Sequence, residues 1–182
     1  MKFTPTRIPD IVIVDHDVFE DDRGFFMETW QQRAFEAAGI DARFVQENYS
    51  MSSKGVLRGL HYQLQQPQGK LIRVVVGEVF DVAVDVTRSS PTFGQWVGVT
   101  LSAANKRSLW VPPGFAHGFF VTGESAEMIY RCTDYYAPQH ERTLQWDDRD
   151  VAIDWPLTDL EPPVLSAKDA AGASLKEADF YA

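Results

Sequence analysis

The sequence predicts a mainly β fold, a sandwich or jelly-roll barrel, on three observations. Short apolar runs recur through the middle of the chain with turn-forming residues between them. The run FDVAVDV alternates strictly, with Phe80, Val82, Val84 and Val86 on one face and Asp81, Ala83 and Asp85 on the other. Helical composition is confined to QQRAFEAAG near the start and to a stretch rich in Ala, Lys, Glu and Asp at the end.

Taken in order, the segment from Asp10 to Asp17 reads as a strand, with His16 a surface histidine among acidic neighbours. EDDRG is a turn by composition, and FFMETW resumes an extended pattern. Gln31 to Gly39 reads as a short helix whose Gly39 suits the position just past a helix end. From Phe44 the chain is mostly strand. The run from Leu71 to Val86 breaks at Gly77-Glu78, and its Asp81 and Asp85 face solvent or a polar cavity. TRSSPTFG is a connection, Gln95 to Ser102 a strand, SAANK a turn, and Arg107 to Pro112 another strand. PPGFAHGFFV and EMIYRCTDYY follow. From about residue 147 prolines break the pattern, and the tail to 182 reads as packing on the barrel within one domain, with a short helix after Ala167.

The chain has 182 residues, enough to bury a core without metal or disulfide support. Its net charge of −9 argues against a broad basic face for nucleic acid. Any anionic small ligand needs cations gathered locally, which draws attention to Arg23, Arg58, Lys70 and Lys168. No apolar run is long enough to span a membrane, and the first residues lack the apolar centre of a signal peptide. The single cysteine, Cys132, excludes an intrachain disulfide, reads as a small buried hydrophobe, and fits a cytoplasmic protein.

The stretch VLRGLHYQLQQPQGK sets His61 between Arg58 and Lys70. A neutral imidazole is the usual general base near neutral pH, and a nearby lysine can hold negative charge on an oxygen. Together they suit proton abstraction beside a carbonyl, although His61 also reads simply as a polar strand residue. Tyr130, Tyr135 and Tyr136 cluster in YRCTDYYAPQHE, as proton donors, stacking rings or edge packing.

Pro112, Gly114 and His117 match the P-x-G-x-x-H pattern of the second cupin motif. The first motif requires H-x-H followed by a glutamate. Here His61-Tyr62-Gln63 has a glutamine in place of the second histidine, and the acid is missing. Two histidines fall short of a metal ligand set, so no metal is expected.

In order, DDRGFFMETW, LRGLHYQ, Lys70, GEVFDVAVDVT, WVPPGFAHGF, YRCTDYYAPQHE and LSAKD resemble the dTDP-4-dehydrorhamnose 3,5-epimerase family, from about Phe19 to Asp169. The resemblance implies a cupin-type jelly roll, or double-stranded β-helix, without metal or other cofactor. It implies a thymidine-diphosphate-linked 4-keto-6-deoxy sugar as substrate, inverted at carbons 3 and 5 on the way to dTDP-rhamnose. His61 corresponds to the base and Asp169 to its partner carboxylate. Lys70 corresponds to the cation at the enolate oxygen, and Tyr130 to the acid on the opposite face. Tyr136 corresponds to the ring that stacks on thymine. Arg23, Glu28, Gln46, Glu47, Asn48, Arg58, His117, Glu141 and Lys168 correspond to substrate-binding positions, with Glu47 standing where Asp is common. The family also implies a homodimer in which an amino-terminal strand is exchanged, so that Arg23 and Glu28 complete the neighbouring site. The His–Lys–Tyr set by itself leaves open a single epimerase or a ketoisomerase on a related nucleotide sugar. A cupin that binds a sugar nucleotide or metal without turnover is the alternative outside the enzymes.

Overall fold

A computed structural model describes residues 1–157 and 162–182, so positions 158–161 of the expected tail lie outside the described residues. The architecture follows from two long antiparallel strands, β7 (Lys70–Asp85) and β10 (Phe115–Cys132), paired along most of their length. Each half of this pair continues into different neighbours. The β7 end and β10 start extend to β8 (Trp96–Ser102) on one side and β6 (Leu57–Gln63) on the other, with β11 (Glu141–Thr143) beyond β6. The β7 start and β10 end extend to β9 (Ser108–Val111) and β5 (Gln46–Ser53). Beyond β9 come β2 (Val12–Asp15) and β1 (Lys2–Pro5). Two layers therefore share β7 and β10, which gives a jelly roll.

The fold from one layer to the other falls where the β7–β10 register shifts, between Val121 and Ala126. Gly77 sits there with φ of 74°, and a Cβ on it would lie 1.8 Å from the Ser125 carbonyl oxygen. The expected break at Gly77-Glu78 is thus a bulge inside one 16-residue strand. PPGFAHGFFV and EMIYRCTDYY likewise join in a single 18-residue strand.

The alternation in FDVAVDV sorts residues between two apolar clusters. Ala83 joins Ile72, Val79, Leu101, Leu109 and Met128, drawn from both layers and so packed between them. Val82, Val84 and Val86 join Leu57, Tyr62 and Trp155, with Phe180 and Tyr181 of the tail packed against them. Neither carboxylate of this run reaches solvent: Asp81 is fully buried and Asp85 nearly so. Asp85 instead accepts from the hydroxyls of Ser90 and Thr92 and from the amide of Thr87, fixing the TRSSPTFG connection.

The helix α1 (Gln32–Ala37) is capped by the Gln31 side chain and closed beyond its end by Gly39, whose φ is +82°. Gly39 donates to Glu36 and Ile40 to Phe35, the Schellman arrangement. One and a half turns are unstable alone. Phe35, 1% exposed, anchors the helix on Val14, Leu71 and Trp110, a burial that contributes about 2–3 kcal/mol. The second helix, α2 (Ala167–Ala170), is shorter than the tail composition predicts. A separate hairpin, β3 (Val18–Asp21) with β4 (Gly24–Met27), carries the EDDRG turn and leaves Phe19, Phe25 and Phe26 exposed. His16 is a correction: it is half-buried, its Nε2 pairs with the Ser108 hydroxyl, and burial lowers its pKa.

Candidate active site

A cavity of about 450 Å³ opens between the two layers, and most of the sequence-predicted residues line it. From the first layer come Arg58 and His61 on β6, His117 on β10 and Glu141 on β11. From the second come Gln46 and Asn48 on β5, Lys70 on β7 and Tyr130 on β10. Tyr136 and Lys168 reach it from the loop after β10 and from α2. Register explains the grouping. Tyr130 lies opposite Asn48 and Ile72, and His117 opposite His61 and Ala83.

The β6 strand is drawn unusually close to β10. A Cβ on Gly59 would stand 2.5 Å from the Cα of Gly118, so only glycine fits where φ is also 121°. This approach leaves the Gly59 amide free to donate to the Asp169 Oδ1 at 3.3 Å. The same oxygen lies 2.6 Å from Nε2 of His61. The Oδ2 accepts from the Ser166 hydroxyl at 2.6 Å, and Ser166 in turn accepts from the Asp169 amide. LSAKD is therefore a helix-capping sequence in which the cap also orients a carboxylate. Burial by itself raises the Asp169 carboxyl. The donors from His61, Ser166 and Gly59 outweigh it and bring the value down to about 2.

An ionised Asp169 is acceptor-only, so His61 must carry its hydrogen on Nε2. That leaves Nδ1 as the basic nitrogen. The Lys70 side chain is 9% exposed; burial lowers its pKa, with Cys132, Glu141 and Asp81 acting in the opposite sense. Burial also raises the Tyr130 phenol, so it keeps its proton at neutral pH. His117 belongs to a second imidazole–carboxylate pair, with its Nε2 at 2.9 and 3.0 Å from the two oxygens of Asp81.

Also lining the cavity, the Tyr136 hydroxyl donates to Glu141 at 3.1 Å, and Lys168 bonds both Glu141 oxygens at 3.0 and 2.9 Å. Arg58 is held by the Ser52 hydroxyl and the Met51 carbonyl. Arg58, Lys70 and Lys168 thus gather three cations around the cavity of an acidic protein, and Glu141 pairs with Lys168.

Three predicted residues lie elsewhere in this chain. Glu47 departs from the pocket because strand alternation turns it away from Gln46 and Asn48; it accepts from Arg131 at 2.7 Å instead. Arg23 sits in the β3–β4 turn, 90% exposed and paired with Asp21. Glu28 follows the same hairpin and does not line the cavity. Two partners were missed in the sequence. Asp81 was visible only as one carboxylate in an alternating run. Ser166 was legible as the S-x-x-D of a capping box. Among the described residues no group of three His, Cys, Asp or Glu side chains is placed to hold a metal ion.

The family model for dTDP-4-dehydrorhamnose 3,5-epimerase matches residues 5–177. The chain belongs to the dTDP-4-dehydrorhamnose 3,5-epimerase family. It is 57% identical to the dTDP-4-dehydrorhamnose 3,5-epimerase of Pseudomonas aeruginosa, over 100% of this chain and 99% of that protein. Its structure is similar to the dTDP-6-deoxy-D-glucose-3,5-epimerase of Legionella pneumophila in complex with dTDP-4-keto-L-rhamnose. That match has a TM-score of 0.94 at 52% identity, over 98% of this chain and 94% of the other. The epimerase of Bacillus anthracis with TDP and PPi bound matches with a TM-score of 0.90 at 41% identity, over 95% and 98% of the two chains. The cupin-type jelly roll expected for this epimerase family is the fold observed. No described helix is long and apolar enough to cross a membrane.

Proposed function

We propose that this epimerase inverts carbons 3 and 5 of dTDP-4-dehydro-6-deoxy-D-glucose to give dTDP-4-dehydro-L-rhamnose, with His61 as the base. The observation that carries the assignment is the His61–Asp169 pair at 2.6 Å in a cavity that also holds Lys70 and Tyr130. Nδ1 of His61 removes the proton from the carbon next to the ketone. The bonding pair moves into the ring and the carbonyl π electrons onto O4, giving an enolate. The Lys70 ammonium, held in a dry setting, stabilises that oxygen. Tyr130 then gives its proton to the opposite face of the same carbon, the enolate electrons form the new C–H bond, and the ketone returns. The imidazolium releases its proton and the tyrosinate regains one from solvent. Repeating this at the second carbon completes the double inversion without any redox step or added cofactor.

Tyr136 is assigned to stacking on thymine, and Arg58 and Lys168 to the diphosphate end, where charge-assisted bonds favour cations. Gln46, Asn48, His117 and Glu141 complete the contacts. The protein is read as one domain over residues 1–182, with the tail from about 147 packed on the barrel, and as a cytoplasmic enzyme. It is also read as a homodimer. The β3–β4 hairpin projects Phe19, Phe25 and Phe26 at 65%, 58% and 70% exposure, a surface that supports docking on a second copy. Arg23 in its turn and Glu28 just after it would then contact the neighbour's nucleotide.

The test is turnover of the thymidine-linked 4-keto-6-deoxyglucose in deuterated water, coupled to a reductase that accepts only the inverted sugar. Reduced product with deuterium at both carbons is expected. Deuterium at one carbon only, with no reductase substrate formed, overturns the double inversion.

A further inference from the structure

The loop that carries Tyr136 lies outside the strands, yet its backbone is held at four consecutive residues by glutamine side chains. Gln68 donates from Nε2 to the Asp134 carbonyl at 2.8 Å. Gln63 donates to the Tyr135 carbonyl at 3.2 Å and accepts from the Ala137 amide at 2.9 Å. Gln46 accepts from the Tyr136 amide at 2.9 Å. We infer that Gln46, Gln63 and Gln68 form a cradle that positions the Tyr136 ring, and that Gln63 and Gln68 are positioning residues for nucleobase binding. This rests on the assignment of Tyr136 to thymine made above.

The chemistry fits the job. An amide side chain offers donors and an acceptor on one rigid plane, so a single glutamine can serve a carbonyl and an amide two residues apart. Gln63 does this while 4% exposed, where leaving either backbone group unpaired is costly. Its second donor contact, to the Gln66 carbonyl at 2.7 Å, ties in the turn that leads to Gln68. Gln63 also occupies the position where a metal cupin has its second histidine. Both ends of its amide are engaged by backbone, so that position now supports a loop.

The cradle fixes the backbone and leaves the ring presented: Tyr136 is 52% exposed. A loop held in one conformation binds without first being ordered. A loop sampling several binds more weakly in proportion to the competent fraction. Losing a cradle bond should therefore weaken binding of the nucleotide and leave alone the chemical step, since none of the cradle bonds is made to His61, Lys70 or Tyr130.

The experiment measures the Kd of thymidine diphosphate by calorimetry, and kcat and KM on the 4-keto sugar nucleotide. The variants are Gln68→Leu, Gln63→Met and Tyr136→Ala, each glutamine change being made also in the Tyr136→Ala background. Gln68→Leu is expected to raise Kd and KM about fivefold, and Gln63→Met about tenfold or more, with kcat at saturation held within about twofold. In the Tyr136→Ala background neither should add to the loss. If Tyr136→Ala binds as tightly as the unaltered protein, the assignment of Tyr136 fails and the cradle's role with it. If Tyr136→Ala weakens binding but the glutamine changes do not, the cradle alone is overturned. The cradle also fails if the glutamine and tyrosine losses add, since that marks a direct contact of Gln68 or Gln63 with the nucleotide. Gln63 is buried; should its variant not fold, the half-buried Gln68 decides the matter by itself.

Discussion

The imidazole of His61 and the carboxylate of Asp169 meet at 2.6 Å although 108 positions separate them in the chain. The carboxylate is kept ionised by Ser166 and Gly59 as well, so it sets the histidine tautomer and stabilises the imidazolium formed during turnover. Asp169→Asn keeps the shape but lets the ring carry its hydrogen on either nitrogen. Its kcat is expected to fall by about 10³–10⁴. Deuterium exchange into substrate should fall in parallel, as in His61→Ala. Exchange at the unaltered rate in His61→Ala would remove His61 from the base role, and in Asp169→Asn it would remove the carboxylate from tautomer control.

Lys70 combines a function with a cost to the fold. Burial lowers its pKa below the ordinary lysine value of 10.5. Between the lowered folded value and 10.5 the unfolded chain binds the extra proton, so stability rises with pH across that window. Lys70→Met removes this dependence along with the buried charge. Its midpoint of unfolding at neutral pH should match or exceed that of the unaltered protein. Its proton-removal rate should fall by about 10²–10³, because the enolate oxygen loses its cation. A variant that is less stable and still fast would contradict both halves.

Tyr130 separates the second half-reaction from the first. Its phenol, raised by burial, remains a proton donor at neutral pH. Tyr130→Phe should still exchange substrate hydrogen with solvent through His61, on one face only. Formation of inverted product should drop by about 10²–10⁴. Equal loss of exchange and inversion would show that the tyrosine acts before proton removal.

How much of this was legible in the sequence depends on what each residue needed. The β pattern and the α1 boundary were readable because alternation and the Gly39 cap are local signals. The union of PPGFAHGFFV with EMIYRCTDYY was not. A strand that bends through a bulge keeps pairing where its turn-like residues suggest a stop. His16 was misread because its acidic neighbours in sequence say nothing of Ser108, which packs on it from 92 positions away. The hold of Gln46, Gln63 and Gln68 on the Tyr136 loop was not readable, since a glutamine that binds backbone looks the same in sequence as one that faces water. The cluster of His61, Lys70, Tyr130 and Tyr136 in one cavity rests on strand register, and the family resemblance anticipated it where residue chemistry alone did not.

The low value of Asp169 has a consequence in acid. Its folded value of about 2 lies under the ordinary 3.8, so between these the unfolded chain binds a proton that the folded chain does not. The stabilisation is complete above 3.8 and is lost as pH falls through about 2. Within that window the stability of the unaltered protein should rise with pH more steeply than that of Asp169→Asn, by up to about 1.4 kcal/mol per pH unit. Denaturant titrations of both proteins across the window measure the difference. Parallel curves would mean that the three donors do not hold the carboxyl down.

The hairpin makes the sharpest demand on the assembly. Arg23 is 90% exposed at its turn and does not line the cavity of its own chain, so its assigned nucleotide contact calls for a second copy. Arg23→Ala and His61→Ala should each be poorly active alone, for different reasons. In a mixed dimer one site carries both defects. The other takes His61 from one chain and Arg23 from its partner, and so is whole. Random mixing of equal amounts should therefore restore about a quarter of the sites, because half of the dimers are mixed and each has one intact site of two. The recovered activity should appear at the rate of subunit exchange and should have an unaltered KM. If the mixture never exceeds the average of the two variants while exchange is seen by native mass spectrometry, Arg23 serves only its own chain. The exposed phenylalanines beside it then need another explanation.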